Sequence, residues 1–218
     1  MAGQLADPHK SLLVYDLDGT LVDSAKVVVS ILNSLRQGLG LNDLSVVSVL
    51  ASISLGGEDL IRNALGVSGG DVNIYLNKFR EMYFDLPTPE DCVYQNVFET
   101  LSSLNNRGFN FAICTNKPRK LADKVLRETK LDVFFNSINA GGDLITKKPD
   151  RVNLQACINY FDSTFDKIYL VGDSTVDQQL AVNADVPFIF YAPGYDDGVD
   201  QKKTVFTLHD HLEILCLI

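Results

Sequence analysis

Two aspartates one residue apart close an apolar run in LLVYDLDGTLVDS, residues 12–24, with Gly19, Thr20 and a third acid behind them. Asp and Gly suit the turn that ends a strand, so this stretch alone has a plain structural account. The pattern recurs, however. The run ending at Cys114 is followed by Thr115, Asn116 and Lys117, and the run ending at Val171 leads into Asp173, Ser174 and Asp177. A fourth piece, KKPD at 147–150, lies in a loop just ahead of a helical pattern. If these ends meet, the acids cannot all stay charged without a partner, because like charges disfavour ionisation. A divalent cation resolves the conflict, and carboxylate oxygens with an open face for water and phosphate are what Mg²⁺ prefers. One acid is then free to attack while the others hold a metal and handle a proton. Residue type alone leaves some choices open. Asp177 also reads as an ordinary first-turn acid, Lys147 competes with Lys148, and Lys117 reads as a solvated loop charge.

The elements that must bring these residues together are legible as a rhythm. Four short apolar runs, 12–15, 109–114, 168–171 and 188–191, lack polar alternation and are rich in β-branched or aromatic residues. That is the pattern of parallel strands covered on both faces. Helical patterns separate them: VFETLSSLNNRG with a glycine stop, KPRKLADKVLRETKLDVFF with Leu121, Val125 and Leu126 on one face, and DSTVDQQLAVNA opening on two good caps. Strands alternating with helices predict βαβ crossovers and an α/β, doubly wound parallel sheet, whose ligands gather beyond the carboxyl ends of the strands. Residues 25–85 break the rhythm. AKVVVSILNSLRQGLG, NDLSVVSVLASI, EDLIRNALG and DVNIYLNKFREMYFD all read as helices, and LPTPED as a return linker. The expected organisation is a core of 1–22 and 87–218 with a helical domain of 23–86 inserted after the first strand.

Composition bounds the function. The chain has 218 residues, 46% of them hydrophobic and 22% charged, enough for a substantial core. A net charge of −9 argues against nucleic acid or an anionic membrane as partner, while a bound cation can still present a positive site to a small anion. Four scattered cysteines without a CxxC pair read as reduced, buried thiols. The start, MAGQLADPHKS, is polar, so no secretory signal is expected, and no apolar run approaches the roughly 18 residues of a membrane span. A cytoplasmic protein follows, working as a monomer or homodimer.

Taken in order, DLDGTLVDS, CTNKP, KKPD and VGDSTVD resemble the four motifs of the haloacid dehalogenase-like (HAD) phosphatases. The likeness covers about 11–22 and 93–195, and the helical insert stands where that superfamily carries its cap. Within it, TNKP, INAGGD, KKPD and PGYDDG look most like phosphoglycolate phosphatases. The resemblance implies a Rossmann-like core and Mg²⁺-dependent hydrolysis of a small phosphorylated metabolite. It makes Asp16 the nucleophile that forms an aspartyl-phosphate, and Asp18 the general acid and then base. Thr115 would hydrogen-bond the phosphoryl group and Lys148, which directly precedes Pro149, would offset its charge. Asp16, the backbone carbonyl of Asp18, and Asp173 would hold the metal, with Asp177 orienting the cluster. Gly19, Thr20 and Asn116 would line the phosphate, and Gly56, Gly57 and Arg62 in SLGGEDLIRNALG would face the substrate from the cap.

A phosphomutase of the β-phosphoglucomutase type uses both aspartates too, but Thr20 favours the phosphatase, since mutase relatives usually carry an apolar residue there. A non-catalytic HAD-like module would keep its biological activity in Asp16→Asn. The chain departs from the family pattern at Gln95–Asn96, where Pro-Gly is common, at Arg151, where a second proline is common, and at Asp185, where glycine is usual.

Overall fold

The computed structural model describes residues 7–55 and 57–218. Gly56 and the first six residues, on which part of the reading of the N-terminus rests, lie outside the described residues.

The sheet has six strands in the order β3-β2-β1-β4-β5-β6, all parallel. They are β1 (Ser11–Tyr15), β2 (Asn110–Pro118), β3 (Ser137–Gly141), β4 (Lys167–Gly172), β5 (Phe188–Tyr191) and β6 (Phe206–Leu208). Strand β1 lies at the centre, with Tyr15 level with Ile113 of β2 and Val171 of β4. Its alternation explains why the run has no polar residues. Leu13 and Tyr15 point into one core with Phe111 and Ile113, while Leu12 and Val14 point into another with Ala112 and Cys114. Both faces are covered, so positions 12–15 are all apolar or aromatic.

Between β1 and β2 come α1 (Ala25–Gly38), α2 (Leu50–Leu55), α3 (Gly57–Leu65), α4 (Gly70–Asp85) and α5 (Val97–Asn106). The first four form a helical block beside the core, with α1 burying Val28, Ile31, Leu32 and Leu35 inside it. Helices α6 (Arg119–Glu128), α7 (Arg151–Asn159) and α8 (Thr175–Ala184) complete the crossovers. The block meets the core where α4 touches α6. Buried Lys124 on α6 donates to Leu86 O (2.7 Å), and Glu128 accepts from Thr88 N (3.0 Å), so the LPTPED linker is tied to the core.

Two expectations need correction, the number of strands and the start of one helix. Strands β3 and β6 carry no long apolar run: SINAG is short and ends in glycine, and β6 is a three-residue edge strand. The helix expected over NDLSVVSVLASI begins only at Leu50. Upstream, Asn33 captures both backbone groups of Leu44, accepting from its N–H (2.8 Å) and donating to its carbonyl (3.0 Å), which gives that segment a non-helical alternative.

Candidate active site

Strand β1 delivers Asp16 to the carboxyl edge of the sheet. Its backbone N–H bonds Val171 O (2.9 Å), and its Oδ1 accepts from Leu17 N (2.7 Å) and Lys148 Nζ (2.8 Å). Oδ2 carries no hydrogen bond among the described residues. From β4 comes Asp173, fully buried, whose two oxygens accept from Thr20 Oγ1 (2.8 Å) and Tyr195 N (2.7 Å). Two glycines allow this closeness. Gly19 has φ +85°, and a Cβ there would overlap Asp173 Oδ2; a Cβ on Gly194 would overlap the Gly19 carbonyl. Only backbone without side chains lets both loops close over the carboxylate.

Asp177 plays both parts that its position allowed. Its Oδ2 accepts from Ser174 N and Oγ, closing the capping box that starts α8, while Oδ1 accepts from Lys148 Nζ (2.7 Å). Lys148 therefore bridges Asp16 and Asp177 from a buried position. Asn116 fixes it there: its side chain accepts from Lys148 N (2.8 Å) and donates to Lys148 O (3.3 Å). Lys147 turns the other way, toward the helical block, donating to Leu55 O (2.8 Å) and Asp59 (3.2 Å). Thr115, buried on β2 at the same sheet edge, accepts from Lys117 N (3.1 Å).

The electrostatics of this cluster ask for a cation. One carboxylate oxygen from each of Asp16, Asp173 and Asp177 falls within 4.8 Å of the others. Burial pushes the Asp16 carboxyl up to about 7, Lys148 opposing and Asp177 adding to the rise. Burial, then Asp177 and Asp16, raise Asp173 well above the carboxylate range. Lys148 titrates above an ordinary lysine, because the two acids outweigh the opposing effect of burial. With all three carboxylates ionised, the one buried ammonium would leave two negative charges to balance, and the donors are all oxygen, so the set fits a hard divalent cation.

Asp18 lies apart from that cluster. Its carboxylate accepts from Ser24 Oγ (2.6 Å) and from Lys117 Nζ at both oxygens (2.9 and 3.0 Å). Lys117 is not a solvated loop charge. Strand β2 continues through Pro118, so the side chain is buried, and its ammonium also donates to Tyr83 OH of α4 (2.9 Å). Burial alone would lower the Lys117 pKa, but Asp18 and Tyr83 together raise it. Tyr195 adds a second tie. Its hydroxyl accepts from Ser24 N (2.8 Å) and Ala25 N (3.0 Å) and donates to Asp23 Oδ1 (3.0 Å).

Several expected phosphate and substrate contacts are engaged elsewhere. The Gly19 N–H donates to Val22 O (2.8 Å), Thr20 is spent on Asp173, and Asn116 clamps Lys148. Arg62 is exposed and pairs with Glu58 (3.1 Å) at the rim of a cleft of about 1370 Å³ between α3, α4, the junction of β2 with α6, and residues 141–147. Asp16, Asp18 and Lys117 do not line that cleft. Sequence reading missed Lys117, Ser24, Tyr83 and Tyr195.

The family model for haloacid dehalogenase-like hydrolases matches residues 13–191. The chain belongs to that family. This haloacid dehalogenase-like hydrolase is 31% identical over 195 residues to the phosphoglycolate phosphatase of Agrobacterium fabrum, a match covering 87% of this chain and 84% of that one. It is 27% identical over 217 residues to the phosphoglycolate phosphatase of Caulobacter vibrioides, covering 96% and 91%. Among solved structures, a predicted phosphoglycolate phosphatase from Haemophilus somnus 129PT superposes with a TM-score of 0.87 at 26% identity, covering 94% of this chain and 96% of that one. The hydrolase is of the phosphatase type.

Two departures from the family pattern fall at left-handed backbone. Asn96 has φ 63° and Asp185 φ 55°, and Asn and Asp are the side chains that tolerate this region best after glycine. Asn96 also donates to Asp210 (2.7 Å).

Proposed function

We propose that this chain is a Mg²⁺-dependent phosphatase of small phosphate monoesters, with 2-phosphoglycolate as lead substrate. The observation that carries the reading is the junction of Asp16, Asp173, Asp177 and Lys148 at one sheet edge. Asp16 attacks phosphorus and forms the aspartyl-phosphate, with Lys148 offsetting charge on the transferring group. Thr115 Oγ1 already accepts from Lys117 N, so its proton is available to a phosphoryl oxygen. Asp18 hands a proton to the leaving alcohol and later takes one from the attacking water. Mg²⁺, held by Asp16, Asp173 and the Asp18 carbonyl with Asp177 orienting the set, would supply charge neutralisation to the phosphoryl oxygens. The helical block of 23–86 serves as a cap that excludes water during the first step. Among the described residues no helix is long and apolar enough to cross a membrane, and all four cysteines are free, which supports a cytoplasmic setting.

The test is phosphate release from 2-phosphoglycolate with Mg²⁺ or with EDTA, in wild type and Asp16→Asn. Release that needs the metal and falls by about 10³-fold or more in the variant is expected for a lost nucleophile. Failure to hydrolyse any phosphate ester overturns the reading.

A further inference from the structure

We infer that Lys117 is the specificity-determining residue that receives a second anionic group, a carboxylate carried on the leaving alcohol next to its ester oxygen. This deepens the phosphatase reading and rests on it.

Lys117 is a buried ammonium whose one ionic partner among the described residues is Asp18. Its remaining contacts are neutral: the hydroxyl of Tyr83 at 2.9 Å and the ring of the same residue, 4.3 Å from Nζ to the centroid. Asp18 has one oxygen on Ser24 and both on Lys117, so a leaving alcohol competes with the ammonium for the same carboxylate. An alcohol that takes up one of these oxygens loosens the ion pair. A buried cation that loses its counter-ion is costly. A leaving group with its own carboxylate replaces the lost partner; a neutral one does not.

The distances favour a short acid. A proton donor works within about 3.2 Å of the atom it protonates, and Nζ stands 2.9 and 3.0 Å from the Asp18 oxygens. Lys117 is therefore within about 6 Å of the place the ester oxygen must take, and a carboxylate one methylene beyond that oxygen spans such a gap. Other cations are poorer receivers. Lys148 is committed to Asp16 and Asp177. Arg62, Arg119 and Lys147 are paired with Glu58, Asp143 and Asp59 at the rim of the cleft, where Arg80 and Lys120 are exposed to solvent.

The experiment compares kcat/KM for 2-phosphoglycolate with that for 2-hydroxyethyl phosphate, which replaces the carboxylate by a neutral alcohol, and uses p-nitrophenyl phosphate to report phosphatase chemistry. A hydrogen bond to a charged group predicts a preference of about 10- to 100-fold for phosphoglycolate in wild type. Lys117→Met should bring that ratio to within about threefold of one, and Lys117→Arg should retain part of it. Wild type with no preference overturns the inference, whether or not the variants fold. So does a Lys117→Met that slows both alkyl esters equally, the result for a residue that only holds Asp18. If p-nitrophenyl phosphate is hydrolysed while the preference is absent, the inference alone fails. If no ester is hydrolysed, the phosphatase reading fails with it.

Discussion

Replacing Lys148 by methionine keeps the bulk of the side chain and removes its charge from between Asp16 (2.8 Å) and Asp177 (2.7 Å). At an effective dielectric of about 20, one ion pair at such a distance is worth roughly 6 kcal/mol before desolvation is counted. Sparing the lysine its own desolvation recovers part of this, and removing one partner of a buried pair costs about 3–5 kcal/mol in net terms. In a chain of this length that lowers the melting temperature by about 6–20 °C. Urea unfolding in EDTA measures the loss, because without metal nothing else neutralises the acids. The deficit should shrink as pH falls. The folded pKa of Asp16 already lies above its ordinary value, so the folded state gains from protonation, and the loss of Lys148 strengthens that tendency. Adding Asp177→Asn in the methionine background should recover about 1–3 kcal/mol by removing one orphaned charge. A loss below about 1 kcal/mol in EDTA would refute the view that Lys148 neutralises the acid cluster.

Other outcomes follow from the same geometry. His211 is buried, stacked on Tyr191 with Nε2 2.9 Å from Thr20 O, and burial holds its pKa down at about 4 against 6.5 when unfolded. The unfolded chain therefore binds the extra proton, so stability is lost as pH falls from about 6.5 to 4, by about 3 kcal/mol from this group. His211→Gln should flatten the slope in unfolding titrations across that window. Gly194→Ala should cost about 1–3 kcal/mol and weaken Mg²⁺ binding, read by thermal melts against metal concentration, because its methyl group meets the Gly19 carbonyl and Asp173. Asp185→Gly should gain about 0.5 kcal/mol by relieving a left-handed residue, whereas Asn96→Gly should gain nothing in urea melts because it forfeits the bond to Asp210.

The legible parts of the chain were those where one local rule decides the outcome. A strand covered on both faces favours an unbroken apolar run, so β1, β2, β4 and β5 stand out from the sequence, whereas β3 and β6 draw their order from pairing with β2 and β5. Asp16, Asp173 and Lys148 sit at the ends or approaches of such elements, where the topology of parallel sheets sends ligands. Lys117 was misread because its burial depends on Tyr83, 34 residues earlier on α4, and no local pattern encodes that meeting. Gly19, Thr20 and Asn116 were placed at the phosphate, and the fold also gives the Gly19 N–H, the Thr20 hydroxyl and the Asn116 side chain structural partners in Val22, Asp173 and Lys148. Residue type announces polar capacity; only the fold decides where it is spent.

Tyr195 works like a rod with both ends pinned. One end, its amide, holds Asp173; the other, its hydroxyl, grips the chain where it leaves the sheet for the first helix. If a cation bound at Asp173 shifts the root of the helical block through this residue, reciprocity requires the block to shift cation affinity by the same factor.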